Sequence, residues 1–400
     1  MKKWFDYLAF ALSGEDAAHT QAAAVAYMMM DLHKKDAVLD YPMGGMDSII
    51  QALVQGMQQH GGELRLNSLV DHFWLEDDRC VGVVLADGTK IRAKKGVVSN
   101  SPIWNTVKLL PTSTKTTSKA APGTVAPDAK SQTSGDSSAG VVDGAHAAAA
   151  PFSPKLLKAT ERMQQAADAM SMTGSFMHLH LGIPSDGLPD DLECHHSVLD
   201  MDRDVRDEQN MVIISIPTVF DPSLAPPGYH IVHAYTAASD SFDEWEKQFL
   251  EEGRDNGKVG VRPNSSKAMG YKNDPVYQEL KDRKAEALWK AIERVIPDVR
   301  ERAQRDKGSV VLVGTPMTHR RYNQRFRGTY GPGPSADQDV WQLQGATTAI
   351  DGLLLCGDTS FPGIGLPGVA ASGTIAANTL VSVSQQMELM EELKQKGALQ

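Results

Sequence analysis

Residues 351–381, DGLLLCGDTSFPGIGLPGVAASGTIAANTLV, decide how the rest of the chain is read. Residues 352–356 form a short apolar run bounded by turn residues, the pattern of a buried strand, which Gly357-Asp358 end with a small residue and a carboxylate. The loop that follows carries Gly363, Gly365, Pro367 and Gly368, which lets backbone N–H groups come close to a ligand. From Val369 to about Leu380 the small residues Ala, Ser and Gly predict a helix whose free N–H groups point back toward the loop. Such an end favours a negatively polarised group. Gly363, Gly365 and Gly368 spell G-x-G-x-x-G, yet they stand several residues past the strand. A proline interrupts them, and no second strand with an acidic residue follows, so this is not a first βα turn of a dinucleotide fold. Read from its residues alone, the stretch fits a Gly-rich turn packing a helix on a strand as well as it fits a ligand site, and Asp358 fits a turn acid.

The stretch resembles the C-terminal FAD motif of the flavoproteins related to phytoene desaturase and carotenoid isomerase, a superfamily that includes the amine oxidases. The resemblance implies an α/β, two-domain FAD-dependent oxidoreductase fold. It places Gly357 and Asp358 against the ribityl and pyrophosphate chain of FAD, and Leu366, Pro367, Gly368 and Val369 against its ring. Other segments carry the same likeness: Tyr41-Pro42-Met43-Gly44-Gly45, FMHLHLG at 176–182, DPSLAPPG at 221–228, and TPMTHRRYNQRFRGTYGP at 315–332. Val70 matches a valine whose backbone lies against the FAD adenine, although the residues alone fit an ordinary strand valine. His178, His180, His319, Arg321 and Tyr330 become candidates for the substrate pocket. Arg325 and Gly331 also stand at matching places, while the arginines fit surface ion pairs equally well.

Family members begin with a strand and glycine-rich turn that bind the ADP half of FAD, and no such unit precedes Tyr41. The expectation is therefore an N-terminally truncated FAD domain, the C-terminal portion of a longer protein, which by itself holds FAD poorly. The domain reading runs as follows: 1–40 is a helical part of the substrate domain and 41–102 an FAD-domain helix and β-meander. Residues 112–150 are a disordered insertion, 151–345 the substrate domain, 346–384 the C-terminal FAD segment, and 385–400 a tail helix.

Local patterns support these elements. In 1–14, Trp4, Tyr7, Leu8, Ala11 and Leu12 fall at helical spacing, with Phe5 and Phe10 widening the apolar band, and predict a core helix, with contact to membrane lipid as the alternative. A second helix is predicted over 17–33, with Val25, Met28 and Met29 toward a core. Met46, Ile49, Ile50, Leu53, Val54 and Met57 predict a third, stopped by Gly61-Gly62. Alternation predicts strands at 63–66, 69–75, 80–85, 89–93 and 96–99, with Asp77-Asp78 and Asp87-Gly88 as turns. Residues 112–150 hold almost no large apolar side chain, so ordering them would not be offset by burial. Further on, a helix is expected at 156–170, strands at 175–181, 211–216 and 230–235, a mobile loop at 251–271, a helix at 275–296 and a strand at 310–314.

The 400-residue length allows two domains with a real core. A net charge of −10 offers no basic face for nucleic acid. Cys80, Cys194 and Cys356 are scattered, which suggests a reducing compartment and no disulfide framework. No apolar run reaches the length of a transmembrane helix. His178, His180, Cys194, His195, His196, His230 and His233 raise a metal-binding alternative, but their spacing defines no metal site and none is assigned.

The expected function is that of a flavoenzyme acting on a carotenoid-like polyene, isomerase-like in its best-matching segments. Alternatives are a desaturase, an amine-oxidase-type flavoenzyme, a non-catalytic fragment unable to hold FAD, and a histidine-based metal protein. The implied partners are an apolar polyene and, peripherally, a membrane, with Trp4 and Phe5 as contacts. The implied location is a plastid if the source is a photosynthetic eukaryote, and otherwise cytoplasmic or membrane-associated.

Overall fold

The structure, a computed structural model, describes residues 2–20, 22–35, 41–111, 152–246, 274–333 and 343–398. The expected disordered insertion at 112–150 and the expected loop at 251–271 lie outside the described residues.

Helix α1 (Lys2–Ser13) forms as its apolar spacing predicts, but only part of the apolar band faces inward. Ala9 and Phe10 are buried whereas Trp4 is 49% exposed, because Phe10 packs with Val205, Met211 and Ala237 and so sets which side meets the fold. Helix α2 (Ala22–Leu32) starts later than expected. Asp16 accepts from the His19 N–H at 2.9 Å and holds the preceding residues in a turn. Helix α3 (Met46–Gln59) ends where Gly61-Gly62 predicted: the Gly62 N–H reaches back to the Met57 carbonyl at 2.9 Å and Gly61 takes a positive φ. Its apolar positions are not core; none of its residues is buried. Amphipathic spacing dictates helix formation, and only a neighbouring element can bury the stripe.

The strand expected at 63–66 does not form. Arg65 instead pairs with Glu63 at 2.7 Å, two residues back on the same side of the chain. Strands β1 (Val70–Glu76), β2 (Arg79–Leu85) and β3 (Lys90–Arg92) make an antiparallel meander. Asp77 and Asp78, both at positive φ, close its first hairpin in the handedness that matches strand twist. Strand β4 (Val97–Ser99) leaves this meander and pairs in parallel with β10 (Leu353–Leu355), Leu353 opposite Val97 and Leu355 opposite Ser99. Helix α4 (Ile103–Thr106) and helix α5 (Pro154–Ala169), the latter capped by the Ser153 hydroxyl, cover the region. Phe73, Ile103, Trp104, Leu156, Met163, Leu353 and Leu355 form its shared core.

The second core lies under a five-stranded sheet of order β6-β7-β8-β5-β9. Its strands are β5 (His178–Pro184), β6 (His195–Leu199), β7 (Met211–Ser215), β8 (Tyr229–Thr236) and β9 (Val310–Gly314), every neighbour antiparallel. β5 begins three residues later than expected because Ser175 bridges to Asp240 instead, and β6 was not anticipated. One face of β5 carries Leu179, Leu181 and Ile183, all buried, against helix α7 (Pro275–Glu293), where Leu280, Leu288 and Ile292 complete the core. A short α6 (Asp243–Glu246) and α8 (Val299–Arg305) flank α7, and α9 (Pro316–Tyr322) follows β9. The chain closes with α10 (Leu366–Asn378) and α11 (Val383–Gln395). Among the described residues no helix is long and apolar enough to cross a membrane.

Candidate functional site

Two-residue periodicity puts one class of side chain on the helix-covered face of the five-stranded sheet and another on the opposite face. The second face carries a continuous row across all five strands: His195 opposite Ser215, Ser215 opposite His233, His233 opposite His180, and His180 opposite Leu312. The adjacent row is Ser197, Ile213, Tyr235, His178 and Gly314. Gly314 leaves room for its neighbour, since a Cβ there would stand 3.3 Å from that of His178.

The imidazoles of His178, His180 and His233 are nearly parallel, with centroids 4.2 Å apart for His180 and His233 and 5.1 Å for His178 and His233. Nδ1 of His178 lies 2.8 Å from Nε2 of His233, a hydrogen bond between two imidazoles. The His319 ring, carried by α9, adds a fourth at 4.8 Å from His178. Burial holds these rings neutral. It pushes His178 down to about 2 and His233 and His319 to about 4, with the neighbouring charges of the cluster acting in the same direction.

Phe176 joins this patch to the chain's glycine-rich C-terminal loop. Its ring meets His178 at 5.4 Å, His319 at 5.6 Å and Tyr330 at 5.1 Å. Tyr330 sits on a turn gripped by Arg325, whose guanidinium donates to the carbonyls of Thr329, at 2.9 Å, and Tyr330. The same guanidinium pairs with Asp358 at 2.5 Å, both side chains mostly buried. Burial raises the Tyr330 phenol above its ordinary range, reinforced by Asp358. Arg321 takes a different position, stacked 5.2 Å from the Tyr322 ring.

At Asp358 the β4–β10 pair ends. Gly357 has φ +101°, and a Cβ there would stand 2.7 Å from the Asn100 side-chain oxygen, so only glycine fits. Its N–H donates to the Ser372 hydroxyl at 2.9 Å, which ties the strand end to α10. A Cβ on Gly368 would meet the Gly363 carbonyl at 2.7 Å, so the loop folds tightly onto the first turn of the helix. That helix starts at Leu366, not Val369, because Gly365 at φ +89° supplies its N-cap conformation and Pro367 is tolerated in the first turn. Leu366, Pro367, Gly368 and Val369 are thus helix residues. Val369 N–H already bonds the Gly365 carbonyl at 2.9 Å and Pro367 has no N–H, leaving those of Leu366 and Gly368 without helical partners.

Val70 lies in the meander, where it opens β1 opposite Leu85. The meander meets the β4–β10 pair through the Cys80 N–H and the Asp351 carbonyl, 2.7 Å apart. The Cys194-His195-His196 run makes local contacts instead of joining the imidazole cluster. His195 meets Ser215 at 3.2 Å and His196 the Glu193 carbonyl at 2.9 Å, while His230 bonds Thr218 at 2.8 Å.

Asp221 is a residue that sequence reasoning left without a role. Its carboxylate accepts from the Gly44 N–H at 2.8 Å across 177 positions, joining the Tyr41–Gly45 turn to the 221–228 segment. Hydrogen bonds from Ser223 and that amide lower its pKa. Asp221→Ala is expected to free the 41–45 turn, read as faster hydrogen exchange at Gly44 and Gly45. Unchanged exchange would show that the bond does not hold the turn.

The chain is 29% identical over 386 residues to the chloroplastic prolycopene isomerase of Daucus carota, covering 95% of this chain and 50% of that protein. It is 24% identical over 399 residues to the neurosporene-forming phytoene desaturase of Rhodobacter capsulatus, covering 94% of this chain and 60% of the other. Its similarity to carotenoid isomerases and desaturases runs along nearly the whole of this chain. No family model matches it. An oxidoreductase from Methanosarcina mazei shares its fold, with a TM-score of 0.51 at 16% identity over 93% of this chain and 63% of that one. The chain spans about half the length of the isomerases it matches.

Proposed function

We propose that this protein works with FAD on a carotenoid-like polyene and isomerises it, with desaturation as the second reading. The observation that carries the proposal is the tight turn at the end of β10. Gly357 and Gly368 are closed to any side chain there, and the α10 N-terminus offers two N–H groups beside the Arg325–Asp358 pair. These features fit a flavin: without a Cβ, Gly357 and Gly368 let the strand end and the loop close onto Asn100 and Gly363 and so set the shape of the turn, and the helix end favours developing negative charge by about 1 kcal/mol. Gly357, Asp358 and the 366–369 turn would hold the cofactor, with Val70 on its adenine side. Reduced FAD, when bound, would supply electron density to the polyene.

The chain's own residues would do the rest. The face bearing Phe176, His178, His180, His233, Tyr235 and His319 presents flat rings that are neutral at physiological pH, an apolar-tolerant wall for a conjugated chain. Neutral imidazoles do not protonate a polyene. In this reading, segments 41–102 and 346–384 serve the cofactor, and segments 1–40 and 151–345 serve the substrate, as two domains. The isomerase reading is favoured by the higher identity to that branch, 29% against 24%. A polyene implies contact with a bilayer surface, where exposed Trp4 and Phe5 would lie. A plastid location follows if the source is a plant.

The test is to incubate the purified protein with FAD, a reductant and prolycopene in micelles, and to analyse the pigment by chromatography and mass. A product of equal mass and altered spectrum supports isomerisation. Loss of hydrogen supports the desaturase reading, and unchanged pigment defeats both. Gly357→Val is expected to weaken flavin binding below that of the unsubstituted chain, read by titration with excess FAD.

A further inference from the structure

We propose that His178, His180 and His233 form a binding site for a divalent transition ion, zinc above all. Each offers one ring nitrogen, and these three atoms lie within 4.8 Å of one another. Ligand nitrogens at about 2.0–2.1 Å around a tetrahedral zinc ion stand roughly 3.3 Å apart. The observed cluster, with one pair of ring nitrogens at 2.8 Å, stands near that spacing, and turning the nearly parallel rings would aim their lone pairs at a common centre. The backbone needs no adjustment: His180 and His233 are direct cross-strand partners, and His178 is two residues from His180 on the same face of β5.

A second observation is independent of the spacing. Nε2 of His178 and Nε2 of His319 are both buried and have no hydrogen-bond partner. Buried polar atoms are nearly always paired, so these two nitrogens mark a ring cluster that lacks a polar partner; Nε2 lies on the other edge of the His178 ring from the Nδ1 that faces His233, so the ring turns one edge or the other to the ion. The rings stand 4.8 Å apart, which makes His319 the nearest further donor. The rest of the coordination sphere is open to water, since His180 is exposed on the rim.

The donor set selects the ion. Imidazole suits zinc, copper and nickel, while magnesium and calcium require oxygen ligands, which this cluster does not supply. Such an ion would pin the rings of the sheet face beside Phe176 and Tyr235 and give that face a fixed positive centre.

Tag-free protein, stripped with chelator, is titrated with Co2+ and then Zn2+, following visible absorption and metal content. One equivalent of Co2+ with the intense bands of a tetrahedral site, displaced by Zn2+, is expected. His180→Gln, at an exposed position, should weaken binding at least about tenfold. His233→Gln is the second variant, each checked for native circular dichroism, and His195→Gln on β6 is the control that should bind normally. Absence of stoichiometric binding, or wild-type affinity in both His180→Gln and His233→Gln, overturns the proposal. The readout contains no flavin or polyene, so its failure would leave the carotenoid reading intact.

Discussion

Arg325→Ala should destabilise the folded protein by about 3–5 kcal/mol, the range for breaking a largely buried pair from one side. Three acceptors lose their donor at once: the Asp358 carboxylate and the carbonyls of Thr329 and Tyr330. The orphaned carboxylate dominates, because a charge left without its partner out of water is worse than a missing neutral hydrogen bond. Arg325→Lys should recover only part of the loss, since an ammonium cannot span the turn and the carboxylate as a planar guanidinium does. Asp358→Ala combined with Arg325→Ala should be less harmful than the sum of the two singles. Urea denaturation measures all four proteins. A loss below about 1 kcal/mol for Arg325→Ala would place the pair among ordinary surface contacts.

Acid should unfold the protein earlier than its carboxylates alone would bring about. His178 titrates at about 2, and His233 and His319 at about 4, against an ordinary value of 6.5. A depressed histidine contributes stability that is complete above the unfolded value and disappears as pH falls toward the folded one. The window is therefore pH 6.5 to 4 for His233 and His319, with His178 extending it lower. A shift of this size corresponds to about 3 kcal/mol for one such ring, and rings in contact do not contribute independently.

Asp240 works against this trend. Burial raises it to about 6, so its contribution is complete below its unfolded value of 3.8 and is lost as pH rises through 6. One carboxyl of comparable size cannot offset three imidazoles, and the net stability of chelator-treated protein should fall between pH 6.5 and 4. Asp240→Asn should steepen that fall by removing the opposing contribution, and His233→Gln should flatten it. Denaturation midpoints at several pH values decide the matter. A flat profile for the unsubstituted protein would mean the imidazoles are solvated.

The likeness to carotenoid isomerases and desaturases was legible in short segments because each holds residues that local geometry cannot replace. Gly357-Asp358 ending a strand and the glycines before α10 are constraints on backbone shape, and such constraints show in the sequence. The alternation FMHLHLG likewise assigned His178 and His180 to one face, and the structure keeps them there. What spacing could not reveal is what lies opposite. His180 meets His233 only because β5 pairs with β8 in that register, and His319 arrives from a helix that follows a different strand. The metal alternative was set aside at the level of sequence because Cys194-His195-His196 has no defined metal spacing and no clear carboxylate partner; strand pairing instead brings His233 to His178 and His180.

Local pattern thus determined the helices, most strands and the turn chemistry, for these depend on neighbours within a few residues. It failed where burial depends on a distant partner: α1 turned Phe10 inward and not Trp4, and the apolar stripe of α3 is not buried. Residues 63–66 alternate like a strand but found no edge to join. Tertiary structure alone brought β4 beside β10, Gly44 to Asp221, and Arg325 to Asp358. A hydrogen bond or an ion pair requires two specific groups to meet, and a one-dimensional pattern records each group without recording which other it meets.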